Sequence, residues 1–277
     1  MNLFINIVIV ILAIFIILFL LYLFMICPDL TRHERMKPYL GQMWAHRGLH
    51  DMAQRIPENS MLAFTNAIDH GYGIELDVHL TADRQLVVFH DDDLKRICGV
   101  HGTIERMTYE ELAQYHLSGT FEKIPLFKDV LEHVYGRVPL LIEIKMPAKD
   151  TLICKYLKDA LHAYHGPYVI ESFNSLALRW FRNNDPKVLR GQLSNNLLKD
   201  KEAAAPAWIR FFVQHLLSNW YCGPDFIAYK YEDAHNFSLW LNKHLFHAPI
   251  AVWTLRTEEA LSAAKKRFDM YIFERKC

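Results

Sequence analysis

A chain of 277 residues, 52% of them hydrophobic, has room for one large α/β domain or two small ones and ample apolar side chains for a core. Its 31 basic and 31 acidic residues balance, which argues against a nucleic-acid-binding surface, since such a surface shows as a basic excess. The five cysteines, Cys27, Cys98, Cys154, Cys222 and Cys277, are odd in number, widely spaced and lack a C-x-x-C pair, so neither a disulfide framework nor a structural zinc site is expected.

Residues 1–28 read as a transmembrane anchor. Leu3 to Cys27 is almost unbroken Leu, Ile, Val and Phe, with Asn6 the only strongly polar interruption. As a helix it is long enough to cross about 30 Å of hydrocarbon. No Lys or Arg precedes the run and no small-x-small cleavage site closes it, which sets it apart from a cleaved signal peptide. The bulky Phe24-Met25-Ile26 stand before Cys27, where a lipoprotein signal needs small residues. Residues 29–42 form a linker, charged over Thr31–Gly41. Arg32, Arg35 and Lys37 follow the span, and the positive-inside tendency then makes this a single-pass membrane protein with its large part in the cytoplasm.

From Met43 the chain repeats apolar strand and amphipathic helix. Strands are predicted over Met43–Arg47, Gly73–Thr81, Gln85–Asp91, Pro139–Lys145, Tyr168–Ser172, Val188–Leu193, Phe226–Tyr231, Ile250–Leu255 and Met270–Phe273. Helices are predicted over Asn59–His70, Lys128–Tyr135, Thr151–Tyr164, Ser175–Asn184, Ala203–Trp220, Phe237–His244 and Glu258–Lys266. This alternation points to a parallel sheet covered by helices, and around eight βα units over residues 43–277 favour a closed (β/α)8 TIM barrel. Neither G-x-G-x-x-G after the first strand nor G-x-x-x-x-G-K-[ST] occurs, which disfavours dinucleotide and P-loop folds. The alternation breaks over about residues 94–124, a small insertion after the second strand.

In Gly73–Thr81, apolar Ile74, Leu76, Val78 and Leu80 alternate with Glu75, Asp77, His79 and Thr81; in Pro139–Lys145, Leu140, Ile142 and Ile144 alternate with Leu141, Glu143 and Lys145. Side chains two apart on a strand share a face, so Glu75 pairs with Asp77 and Glu143 with Lys145. With helices over the apolar face, the acids point into the barrel. Three buried carboxylates without a cation repel one another, and one hard divalent ion, Mg2+ or Ca2+, removes that cost through oxygen ligands. His46 and His90 end two different predicted strands; as a pair beside a metal they suit general acid and base. Either histidine alone reads as a hydrogen-bonded core residue. Arg47 suits paired hydrogen bonds to phosphate, and Lys145 suits charge developing on phosphoryl oxygens, although a plain ion pair with Glu143 accounts for it equally well. Pro57-Glu58-Asn59-Ser60 opens a helix, with Asn59 or Ser60 as its cap and Glu58 at its positive end. Capping accounts for them, and since Glu58 and Asn59 follow the first strand's loop they are also placed to support the site, while Asp91 stands ready to orient an imidazole. Trp208–Trp220, rich in aromatics, reads as core, with a membrane-resting face as the lesser alternative.

These residues, in this order, resemble the glycerophosphodiester phosphodiesterase family. The stretches that carry the likeness are Ala45-His46-Arg47-Gly48, Pro57-Glu58-Asn59-Ser60, Glu75-Leu76-Asp77-Val78-His79-Leu80-Thr81, Val87-Val88-Phe89-His90-Asp91-Asp92 and Leu141-Ile142-Glu143-Ile144-Lys145. The resemblance implies a (β/α)8 barrel with a subdomain after the second strand. It implies Glu75, Asp77 and Glu143 as ligands of one Ca2+ or Mg2+, His46 and His90 as the acid/base pair, and Arg47 and Lys145 on phosphate. It further implies hydrolysis of glycerophosphodiesters to glycerol 3-phosphate and an alcohol, with lysophospholipids as substrates of some membrane-anchored relatives. The chain departs from the family at Arg84, where a glycine is usual, at Leu255-Arg256, where an Asn often stands, and over Met270–Cys277, which lacks the common Thr-Asp-x-Pro ending.

Overall fold

The computed structural model describes residues 2–146, 149–199 and 205–274. Cys277, the last residues of the Met270–Cys277 ending and the expected helix start at Ala203-Ala204 lie outside them.

Among the described residues nine strands form one sheet: β1 Met43–Ala45, β2 Gly73–Leu80, β3 Leu86–Val88, β4 Leu140–Ile144, β5 Tyr168–Ser172, β6 Arg190–Ser194, β7 Phe226–Lys230, β8 Ile250–Leu255 and β9 Met270–Phe273. The spatial order is β1-β9-β8-β7-β6-β5-β4-β2-β3, and β1 also pairs with β2, which closes a barrel. All eight barrel pairings are parallel. β3 is antiparallel to β2 and stands outside the ring. The expected strand Gln85–Asp91 is thus a hairpin arm, and His90 sits in the loop beyond it rather than at a barrel-strand end.

The principal helices are α1 Asn2–Ile26, α2 Met61–Asp69, α3 Phe127–Val134, α4 Leu152–His162, α5 Ser175–Asn184, α6 Ala207–Gln214, α7 Asn219–Cys222, α8 Phe237–His244 and α9 Glu258–Lys265. One helix expected to run to Trp220 is two, α6 and α7. Between them fully buried Leu216 takes a left-handed φ of 57°, which aims its side chain at the core and ends the helix. The outward faces of β2 and β4, Ile74, Leu76, Val78, Leu140, Ile142 and Ile144, join the helices' apolar faces in the main core. A second cluster fills the barrel interior, with fully buried Met36 and Trp44 among its members. Residues 87–124 gather around a third cluster of their own that includes Phe89, Ile104 and Leu117.

α1 is long and apolar enough to cross a membrane, and its most apolar window buries nothing against the rest of the protein. Its last turn is held: Ile26 is buried beside Leu217 and Leu241, Tyr22 bonds Ser238 at 2.8 Å and stacks on Phe237, and Asn219 donates to the Ile26 carbonyl at 2.8 Å. Beyond it, the Asp29 amide donates to the Pro224 carbonyl and Arg32 pairs with buried Asp225 at 2.9 Å.

Candidate active site

The acids are brought together by register. Asp77 of β2 lies opposite Glu143 of β4, and Glu143 lies opposite Glu171 of β5. Adjacent strands run about 4.8 Å apart, so this row packs carboxylates side by side within the barrel. Glu75, two residues before Asp77, shares its face. Ligand oxygens of Glu75, Asp77 and Glu143 all lie within 4.8 Å of one another, and all three side chains are buried.

Their electrostatics show a site built around positive charge. Burial, together with the charges of Asp77, Glu171 and Glu143, pushes the Glu75 carboxyl well above its usual range. Asp77 is held well below its usual range: burial works against ionisation, but Lys145, His90 and Arg47 outweigh it. Lys145 puts its ammonium 2.9 Å from Asp77 Oδ1 and 2.7 Å from Glu143 Oε1. Lys145 and Arg47 bring positive charge to Asp77, while Glu75 is left raised by burial and by its acidic neighbours. An all-oxygen, anionic donor set of this size fits a hard divalent ion.

His46 leaves β1 on a turn in which Arg47 has φ 55° and Gly48 φ 78°. A Cβ on Gly48 would meet the Ala63 Cβ at 2.8 Å, so the turn packs against α2 only with glycine there. The turn aims the Arg47 amide at Glu75 Oε2, 2.7 Å away, and sets His46 Nε2 3.9 Å from the same oxygen. The Arg47 guanidinium spans Glu58 at 2.6 Å and Asp77 at 3.7 Å. Asn59 donates to Asp77 Oδ2 at 2.8 Å, while the next residue, Ser60, caps α2. Asn59 and Glu58 thus fix Asp77 and Arg47, as their place after the first strand suggested.

His46 Nδ1 lies 2.6 Å from Glu274, which Arg256 also grips at 2.7 Å. Burial lowers the His46 pKa to about 4, although Glu274 pulls the other way. The imidazole is neutral at physiological pH, with its Nδ1–H given to Glu274 and the Nε2 lone pair facing the acids. His90 Nδ1 lies 2.6 Å from Asp91. Arg96 holds Asp91 at 2.7 Å and Glu58 at 2.7 Å, tying the two histidine neighbourhoods together. His79, on the acid-bearing face of β2, does not line the cavity. It spans Glu105 at 2.8 Å and the His90 carbonyl at 3.3 Å, so it braces the loop that carries His90.

His46, Arg47, His90, Glu75 and Glu143 meet at a cavity of about 130 Å3. Lys145 and Asp77 stand behind this wall, bonded to Glu143 or to each other. Phe173 and Trp253, edge to face at 5.8 Å, form its apolar side. Sequence reasoning missed three residues here: Glu171, Arg256 and Glu274. The signal was available for two of them, since Glu171 and Glu274 are acids at the carboxyl ends of apolar strands, where sites collect.

Glu171 is a fourth buried acid with no partner on Oε2, and burial, Glu143 and Asp77 raise its pKa well above the usual range. A raised carboxyl costs nothing below its unfolded pKa and destabilises increasingly as pH rises toward the folded value. In chelator-treated protein, Glu171→Gln should therefore add on the order of 1–2 kcal/mol at neutral pH. Urea unfolding should show that gain shrinking to nothing in acid; a gain equal at both pH values would refute the assignment.

Comparison with known proteins agrees with this geometry. The profile of the "Glycerophosphoryl diester phosphodiesterase family" matches residues 46–270. A glycerophosphodiester phosphodiesterase of Bacillus altitudinis is 37% identical over 134 residues, 46% of this chain and 49% of that protein. Human lysophospholipase D GDPD1 is 32% identical over 151 residues, 50% of this chain and 46% of its own. The match thus spans about half the length of these curated relatives. Among solved structures, an Oleispira antarctica phosphodiesterase in complex with the product sn-glycerol-3-phosphate superposes with a TM-score of 0.68 at 22% identity, over 86% of this chain and 94% of that one. A Thermotoga maritima glycerophosphodiester phosphodiesterase does so with a TM-score of 0.62 at 26% identity, over 83% and 93%.

Proposed function

The chain belongs to the glycerophosphoryl diester phosphodiesterase family, and from that premise we propose that it hydrolyses glycerophosphodiesters to glycerol 3-phosphate and an alcohol. The observation that carries the reading is the clustering of Glu75, Asp77 and Glu143 at a cavity that two imidazoles and a guanidinium also line. Glu75, Asp77 and Glu143 would hold a divalent cation, Mg2+ or Ca2+, which when bound would supply Lewis-acid polarisation of the phosphoryl oxygens. Arg47, kept in place by Glu58, binds a non-bridging oxygen. Lys145 stabilises the charge that gathers on the phosphoryl group. Neutral His46 takes a proton at Nε2 from the attacking oxygen, either water directly or the neighbouring glycerol hydroxyl, the latter expelling the alcohol to leave a cyclic phosphodiester that water then opens to glycerol 3-phosphate. His90, partnered by Asp91, gives a proton to the departing alkoxide. Incubation with glycerophosphocholine should release glycerol 3-phosphate and choline; a folded protein that releases neither from any glycerophosphodiester overturns the reading.

The burial that lowers the His46 pKa sets the acid limb. A base must be deprotonated, so kcat/KM should hold as pH falls through the ordinary histidine range and drop only toward pH 4. Glu274→Gln removes the group that orients Nδ1 and raises that pKa. It should cost about 10- to 100-fold in kcat and move the acid limb further down. An unchanged profile would remove Glu274 from the machinery.

A second reading uses the same residues on lysophospholipids. It is favoured by α1, which we read as a single membrane span with the barrel on the cytoplasmic side, and by similarity to a lysophospholipase D. Assays with glycerophosphocholine beside lysophosphatidylcholine separate the two.

A further inference from the structure

The way α1 is attached determines which end of the barrel meets a membrane. In a (β/α)8 barrel each helix begins at the carboxyl end of the strand before it, the end where the site opens. α8 follows β7, so Phe237 lies at that end and Leu241 one turn away from it. Tyr22 contacts Phe237 and Ser238, whereas Ile26 packs on Leu241. α1 therefore runs parallel to α8 and antiparallel to the barrel strands. Its Ile26 end points to the strands' amino ends, where Asp29 and Arg32 bind Pro224 and Asp225 just ahead of β7. The preceding stretch, Leu3–Leu21, is exposed throughout and projects past the catalytic end. At a rise of about 1.5 Å per residue it extends about 28 Å, close to the hydrocarbon thickness of a bilayer.

The rim at that same end carries large apolar side chains left in the open. Trp208, in the first turn of α6 after β6, is 65% exposed, and Phe237 and Trp240 are 59% and 54% exposed. Across the mouth Phe121 is 91% exposed on a hairpin whose Glu122 accepts from the Leu62 amide, in the first turn of α2. Aromatic side chains around the foot of a span suit the headgroup boundary.

We propose that the catalytic mouth rests against the bilayer, with Trp208, Phe237, Trp240 and Phe121 in the headgroup layer, so that the site draws its phosphodiester from the membrane. This rests on reading α1 as a span and on the hydrolase reading, and the tests separate each from it. The full chain is placed in phosphatidylcholine nanodiscs whose acyl chains are brominated near the headgroup. Tryptophan emission should fall relative to unbrominated discs, W208F/W240F should reduce the quenched fraction, and W180F should not. An emission that does not fall, in a protein that resists carbonate extraction, keeps the span and overturns the docked mouth; so does a quenched fraction that W208F/W240F leaves unchanged. In turnover, W208S/F237S/W240S should lose at least tenfold on lysophosphatidylcholine in vesicles and keep the wild-type rate on soluble glycerophosphocholine. Equal loss on both, or on neither, overturns the proposal; a wild-type chain inactive on both sinks the hydrolase reading, while the bromine result still decides the mouth.

Discussion

His46→Ala should lower kcat by about 10² to 10⁴, the range lost when a positioned proton-transfer group is removed. Several features put the residue near the upper end. Its imidazole is buried, its Nδ1 is committed to Glu274, and its Nε2 is the one free basic nitrogen it turns toward Glu75. Water cannot replace it at the same place and orientation. KM should change little, because Arg47 and the carboxylate site remain to hold the phosphate. His46→Gln keeps the packing volume more nearly and serves as the control for folding; circular dichroism should show both variants native. A folded alanine variant within a few fold of wild type would exclude His46 as the base.

Chelation is expected to stop turnover, and addition of Mg2+ or Ca2+ to restore it. The acids of β2 and β4 lie close together, and burial, reinforced by their repulsion, raises the Glu75 carboxyl. A cation that binds only the folded chain stabilises it by about 2.7 kcal/mol at a concentration of one hundred times its Kd. Melting temperature should therefore rise with added ion, a readout independent of catalysis. Glu143→Gln should abolish both the rescue and the rise while leaving Lys145 its contact with Asp77. Full activity in excess EDTA, with no thermal response to either ion, would defeat the metal-site assignment.

Much of the site was readable because strand geometry is simple. Once Glu75-x-Asp77 and Glu143-x-Lys145 fall on strands, the period of two places them on the inner face, and β2 and β4 prove to be neighbours in register at Asp77 and Glu143. The barrel followed from counting βα units. What escaped was decided by tertiary contacts. His90 lies beyond a hairpin arm, because β3 pairs back onto β2 instead of joining the ring; a short apolar run looks the same in both settings. The break between α6 and α7 depends on where Leu216 must go, which no propensity encodes. Glu274 stands where the Thr-Asp-x-Pro ending was missed, and its link to His46 joins residues 228 positions apart. Arg256 replaces the expected Asn and pairs with that same glutamate, so the two departures form one unit.

That link has a temporal meaning. β1 leads into His46 near the start of the barrel, and Glu274 comes directly after β9, the strand that pairs with β1 to close the ring. A nascent chain already holds Glu75, Asp77 and Glu143 long before Glu274 can orient the His46 imidazole. On the proposed mechanism reactivity thus arrives only when the ring closes, and an unfinished or unzipped barrel is an idle one.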